Sequence, residues 1–200
     1  MKHKLTLILI ILFFAGNIFA NGKNPCDCSP TTKVTKQYRT DAKHETNFNN
    51  FSKAKYEITP NIIIGWEKKY KSKTNDIGKD DIRWNLTPED SLYVLKGWMY
   101  FMKQEANDCD FHIEIGPENQ KSNSRVIVEI TNNNCDLQKK VYNYITSKGF
   151  KLNKQFDYGL ECTVTGLGFY DGTHKPAQHG GTHTHKTSWE LHPVKTFEFQ

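Results

Sequence analysis

Histidine and carboxylate side chains recur at strand spacing in the second half of the sequence. Asp110, His112 and Glu114 occupy alternate positions of one segment, and Glu190 and His192 repeat the spacing near the C terminus. Because side chains two residues apart share one face of a strand, each group presents its polar atoms together. Imidazole and carboxylate are the usual ligands of zinc and related divalent ions.

A histidine-rich loop is predicted between the last two strands and carries Asp171, His174, His179, His183 and His185. Six of the eight histidines fall at or after His112, so a shared site belongs to the C-terminal part of the chain. A zinc-like divalent metal is the predicted cofactor. The predicted ligands are His112, Glu114, Asp171, His174, Glu190 and His192.

Simpler interpretations stay open for the same residues. An alternating polar face is often the solvated side of an antiparallel sheet. The tract from Gly180 to His185 has the composition of an incidental metal-binding loop. His192 precedes Pro193, which lacks an N–H, so this pair is also compatible with a strand at a sheet edge.

The elements that position these residues follow from periodicity. Apolar and polar residues alternate, or large apolar residues dominate, in five segments that are predicted to be strands. From Asp136 the apolar residues have helical spacing, and Gly149 is placed to end the helix. The predicted strands are residues 93–102, 110–115, 125–130, 161–170 and 189–199.

The predicted fold class is mainly β. Three strands, one helix and two strands is the order of a five-stranded Greek-key barrel of the oligonucleotide/oligosaccharide-binding (OB) type, with its helix between strands three and four. An open antiparallel sheet packed on one helix would give the same order.

Three regions are predicted along the chain. Residues 1–20 have the basic start, apolar core and small residue before a polar stretch of a cleavable signal peptide, so we expect a secreted or periplasmic protein. Residues 21–60 are polar and read as a linker or arm. Residues 61–200 form the predicted OB-like domain. No later segment is long and apolar enough to span a membrane.

The charge balance gives no indication of a nucleic-acid partner. Residues 1–20 contain two lysines and no acidic residue, so their removal lowers the formal charge from +5 to +3. A surplus of this size is too weak to argue for nucleic acid.

Five cysteines in an exported chain favour disulfides. The preferred pair is Cys109 with Cys135, because a hairpin of strands two and three would bring their positions together. Cys162 is a candidate partner for Cys26 or Cys28. Metal ligation by Cys26 and Cys28 is a weaker alternative, since one spacer residue and no second pair is not a zinc motif.

Four segments also carry a resemblance to a family of small bacterial domains of unknown function. They are Asn107-Asp108-Cys109-Asp110-Phe111-His112-Ile113-Glu114-Ile115, Arg125-Val126-Ile127-Val128-Glu129-Ile130, Gly168-Phe169-Tyr170-Asp171 and Trp189-Glu190-Leu191-His192-Pro193-Val194. The likeness covers roughly residues 61 to 200, and the last segment is its most specific part. It implies no activity. It implies recurrent polar positions at Asp110, His112, Glu129, Asp171, His174, Glu190 and His192.

Three functions are compatible with these observations. The first is a binding module that holds a divalent metal, or a ligand through one, on its His/carboxylate face. The second is a metal-dependent hydrolase of the phosphodiesterase or nuclease type, with His112, Asp171 and His192 near a metal-activated water. The third is a cell-surface interaction module. The sequence contains no nucleophile elbow, phosphate loop or cofactor fingerprint.

Overall fold

A computed structural model of the chain describes residues 24–30, 40–48, 55–74, 88–89, 91–119, 124–172 and 185–200. Within these ranges the chain forms six strands and three α-helices. In chain order they are α1 (Thr40–Lys43), β1 (Lys55–Ile58), α2 (Pro60–Thr74), β2 (Leu92–Gln104), β3 (Phe111–Gly116), β4 (Arg125–Ile130), α3 (Cys135–Ser147), β5 (Leu160–Tyr170) and β6 (His185–Phe199).

Strands β2 to β6 close into a five-stranded barrel. The neighbours β2–β3, β3–β4 and β5–β6 are antiparallel, β4–β6 is parallel, and antiparallel β2–β5 pairing closes the ring. Helix α3 lies between the third and fourth barrel strands. The predicted OB-like barrel is therefore confirmed, and the open-sheet alternative is wrong because β2 and β5 pair with each other.

The barrel interior is filled by one of the two alternating sets of side chains. Phe111, Ile113 and Ile115 of β3 are buried in the hydrophobic core, as the alternation predicts. The same core includes Trp189 and Leu191 of β6. The intervening polar residues of these strands must therefore lie on the outer surface of the barrel.

Two elements outside the barrel also pack on it. Strand β1 pairs in parallel with β2, and α2 packs Trp66 against Tyr93 and Trp189, with ring centroids 4.9 and 5.8 Å apart. The sequence pattern does not predict α2, because its apolar residues are concentrated in the first two turns and a lysine-rich stretch follows them.

Two disulfides fasten residues 26 and 28 to the barrel. Cys26 bonds Cys135 with Cα atoms 5.6 Å apart, and Cys28 bonds Cys109 with Cα atoms 5.8 Å apart. The predicted Cys109–Cys135 pair is therefore wrong, and so is metal ligation by Cys26 and Cys28. The 3-10 turn at Pro25–Asp27 lies beside the start of β3 and the start of α3, which places Cys28 near Cys109 and Cys26 near Cys135. The spacing of the cysteines in the sequence does not reveal this placement.

Cys162 is a free thiol buried in the barrel core, so it does not bond to an N-terminal cysteine as predicted. The two disulfides fit a protein of an oxidising compartment outside the cytoplasm. Among the described residues, no helix is both long and apolar enough to cross a membrane. The predicted signal peptide lies outside the described residues.

Candidate metal centre

The polar face of β3 lies outside the barrel but is not exposed to solvent. Asp110, His112 and Glu114 are 1%, 3% and 0% exposed, so the alternative that this face is solvated is wrong. The chain itself covers it, because Lys43, at the end of α1, is buried beside the outer face and the following residues continue along it. The polar residues of neighbouring strands are therefore enclosed together.

The strand register brings ligand-type residues of neighbouring strands close together. His112 of β3 is directly opposite Glu129 of β4, and Ile127 of β4 is opposite Glu190 of β6. Because β4 and β6 are parallel, His192 falls beside Glu129 two positions further along. Ligand atoms of Asp110, Glu129 and His192 all lie within 4.8 Å of one another, and all three residues are buried.

His192 lies at the centre of this cluster. Its Nδ1 is 3.0 Å from Oε2 of Glu129 and 3.1 Å from Oε1 of Glu190, and its Nε2 is 3.5 Å from Oδ2 of Asp110. Strand β6 pairs with β4 on one side and β5 on the other, so His192 does not mark a sheet edge despite Pro193.

Asp110 is held in place but keeps one oxygen available. Its Oδ1 accepts a hydrogen bond of 2.8 Å from the backbone N–H of Asn132. Its Oδ2 is buried, and the imidazole nitrogens beside it, Nε2 of His192 at 3.5 Å and Nε2 of His44 at 3.9 Å, are too distant for a close hydrogen bond. A buried carboxylate oxygen that lacks a close donor is costly, and a metal ion bound to it would offset more of that cost than the more distant imidazoles do.

The charges of the cluster act on each other through a buried environment. Burial alone would raise the pKa of Glu129, but the positive charge of His192, hydrogen bonds from His112 and His192, and the charge of Lys43 lower this pKa well below its usual range. Burial alone would lower the pKa of His192, but the carboxylates around it, Glu129 foremost, raise this pKa well above its usual range.

His112 and Glu190 lie next to the cluster. His112 Nδ1 is 3.1 Å from Glu129 Oε1. Glu190 lies two residues before His192 on the same face of β6 and contacts it. Such contacts fix the orientation of a metal ligand and tune its basicity.

Two other predicted ligands are engaged elsewhere. Glu114 forms a buried ion pair with Arg125 at 3.2 Å, and the guanidinium of Arg125 also lies over the ring of Tyr100. Asp171 binds the ammonium group of Lys43 at 2.6 Å. His174 lies outside the described residues, as do His179 and His183.

Four residues of the site are absent from the predicted ligand set. Asp110 and Glu129 are among the polar positions that the resemblance singles out, so a sequence signal for them exists. Lys43 and His44 lie in the predicted polar arm, where nothing in the local pattern distinguishes them from other surface residues.

A surface cleft of about 180 Å³ lies beside the centre. Thr131 and Pro193 are part of its lining, whereas the neighbouring ligand residues Glu129 and His192 are not. The described lining is Glu45, Thr46, Phe48, Thr131, Asn133, Asn134, Pro193 and Val194.

Comparisons with known proteins do not identify the chain. No protein-family model matches it, and no curated protein matches it. The resemblance to small bacterial domains therefore stays a prediction. Among solved structures, the chain is similar to asparaginyl-tRNA synthetase from Entamoeba histolytica at 14% identity and a TM-score of 0.34. The match covers 55% of this chain and 20% of that one, so this chain spans about a fifth of that enzyme.

Proposed function

We propose that this protein is an exported OB-like domain that binds one divalent transition-metal ion, of which zinc is the reference case. Asp110, Glu129 and His192 are its ligands in this proposal. The observation that carries the proposal is the convergence of their ligand atoms within 4.8 Å at a buried point. Buried charges in proteins are normally paired or bind metals.

The chemistry of the donors supports a metal of this class. One imidazole and two carboxylates make a mixed nitrogen and oxygen set, which zinc and its neighbours accept at about 2.0 to 2.2 Å. His112 orients Glu129, and Glu190 contacts His192, which gives two of the ligands the outer contacts typical of metal sites. A divalent ion would also offset the negative charge of a ligand set that has two carboxylates and one imidazole.

Binding has more support than hydrolysis. The cluster is enclosed by the segment around Lys43, and the described lining of the adjacent cleft ends short of Glu129 and His192. A hydrolase needs an open coordination position that a substrate can reach. Asp171, which the hydrolase hypothesis places near the metal, is instead paired with Lys43.

The test is the metal content of the protein purified from an oxidising compartment. The wild-type chain is expected to hold close to one equivalent of metal, and Asp110→Asn, which keeps the shape of the side chain, should lose it. A His174→Asn/His179→Asn/His183→Asn variant separates this site from incidental binding by the histidine-rich loop. Metal lost in the loop variant but retained in Asp110→Asn would refute the proposal, as would no metal in wild type after incubation with Zn²⁺.

A turnover assay on the same preparations separates the two functions. Binding predicts no metal-dependent cleavage of a generic phosphodiester such as bis(p-nitrophenyl) phosphate. Cleavage that disappears in Asp110→Asn would replace the binding module by the hydrolase.

A further inference from the structure

The segment that covers the cluster brings a second imidazole to it. His44 follows α1 directly, and its Nε2 lies 3.9 Å from Oδ2 of Asp110. The Nε2 of His192 lies 3.5 Å from the same oxygen. Two imidazole nitrogens therefore flank the oxygen of Asp110 that has no close hydrogen bond within the described residues.

These distances are close to those between ligand atoms around a tetrahedral ion. The edge of a tetrahedron is about 1.63 times the distance from its centre to a vertex, so metal–ligand bonds of about 2.0 to 2.2 Å put neighbouring donors about 3.3 to 3.6 Å apart. The separation of 3.5 Å between His192 and Asp110 already satisfies this requirement, and that of 3.9 Å between His44 and Asp110 is a few tenths of an ångström too long. His44 is not among the residues whose ligand atoms all lie within 4.8 Å of one another, so its side chain must also move toward Glu129 or His192 when the ion binds.

Lys43, the residue before His44, fixes the position of His44. Lys43 is buried, and its Nζ contacts Oδ2 of Asp171 at 2.6 Å. The side chain of His44 is 16% exposed, whereas those of Asp110 and His192 are at most 1% exposed. His44 thus occupies the solvent side of the cluster, where an ion would enter.

We infer that His44 is the fourth ligand of the metal and closes the site from the N-terminal segment. This inference rests on the proposed function and deepens it, because four protein ligands make a closed site. Closed four-coordinate sites are typical of structural zinc, whereas catalytic sites keep a position for water. The metal would then join the N-terminal segment to β3, β4 and β6.

The experiment compares His44→Ala with His185→Ala. His185 is opposite Arg125, four positions before Glu129 on β4, which puts it about 13 Å away at roughly 3.3 Å per residue. Zn²⁺ affinity is measured by competition with a chromophoric chelator, and the visible absorption of bound Co²⁺ reports the ligand set. Unfolding midpoints in EDTA establish that both variants are folded.

His44→Ala is expected to lower Zn²⁺ affinity at least about tenfold, the lower end of what loss of a partner of a metal ligand costs. It should also shift the Co²⁺ absorption, since water replaces a nitrogen donor, while His185→Ala changes neither. Wild-type affinity and an unchanged Co²⁺ spectrum in His44→Ala would overturn this inference and leave the three-ligand proposal standing. Absence of binding in wild type would overturn both.

Discussion

Nδ1 of His192 lies 3.0 Å from Oε2 of Glu129, and both side chains are almost fully buried. Without metal, this contact joins an imidazolium to a carboxylate in an environment of low polarity. Burial opposes both charges, whereas their mutual attraction, their hydrogen bonds and the charge of Lys43 favour them. The metal-free protein should reveal this pair through its pH dependence.

The stability of the metal-free protein is expected to be greatest between about pH 4.5 and 6.5. The pKa of Glu129 is lowered from its ordinary value of 4.5 in the folded chain, so its contribution is present above that pH and lost as pH falls through the folded pKa. The pKa of His192 is raised from 6.5, so its contribution is complete below that pH and lost as pH rises through the folded pKa.

Urea midpoints measured in EDTA between pH 4 and 8 test this expectation. Glu129→Gln is the matched control, because it keeps the shape of the side chain and removes the charge that holds the proton on His192. The fall in the midpoint above pH 6.5 should be smaller in this variant. An equal fall in both proteins would show that other groups cause it.

Loss of the ammonium group of Lys43 should be strongly destabilising. Lys43→Met removes the cation that lies 2.6 Å from the buried carboxylate of Asp171, and breaking a buried pair in this way costs roughly 3 to 5 kcal/mol. The exposed pair of Lys140 and Glu198 is the control, and Lys140→Ala should cost less than about 1 kcal/mol. Unfolding by urea gives both values.

The double variant Lys43→Met/Asp171→Asn separates the charge from the packing of α1. It also removes the negative charge of Asp171 and should recover most of the loss, because replacing both partners is far less costly than removing one. No recovery would mean that Lys43 acts through the packing of its side chain alone.

One thiol per chain should react after unfolding without reductant, and none before. Four cysteines are paired, and Cys162 is buried in the barrel, where burial raises the pKa of its thiol. Ellman's reagent in native buffer and in guanidinium chloride counts the thiols. Cys162→Ala should give none in either condition, and a thiol in the denatured variant would contradict the disulfide pairing.

The sequence predicts those features of the fold that depend on neighbouring residues, and it fails for those that depend on contacts between distant segments. Alternation in Phe111, Ile113 and Ile115 is local, so it predicts strand, face and core correctly. The partners of Asp110 come from other strands and from the segment around Lys43. The composition of these segments does not predict how they align with each other. The cysteines fail for the same reason, since their pairing depends on where residues 24–30 dock.

Two glycine-to-alanine substitutions should change stability in opposite directions. A methyl group added to Gly97 in β2 would lie 2.6 Å from Cγ2 of Ile115 and 2.7 Å from the carbonyl oxygen of Gly116. The two barrel strands approach too closely for this, so Gly97→Ala should cost about 1 to 3 kcal/mol.

Gly65 in α2 has no atom within 4 Å of the added methyl, so alanine there should stabilise the protein by about 0.5 to 1 kcal/mol through helix propensity. Urea midpoints of both variants in EDTA give the comparison. A neutral Gly97→Ala would mean that β2 and β3 can separate at this point without cost, which would contradict their close approach.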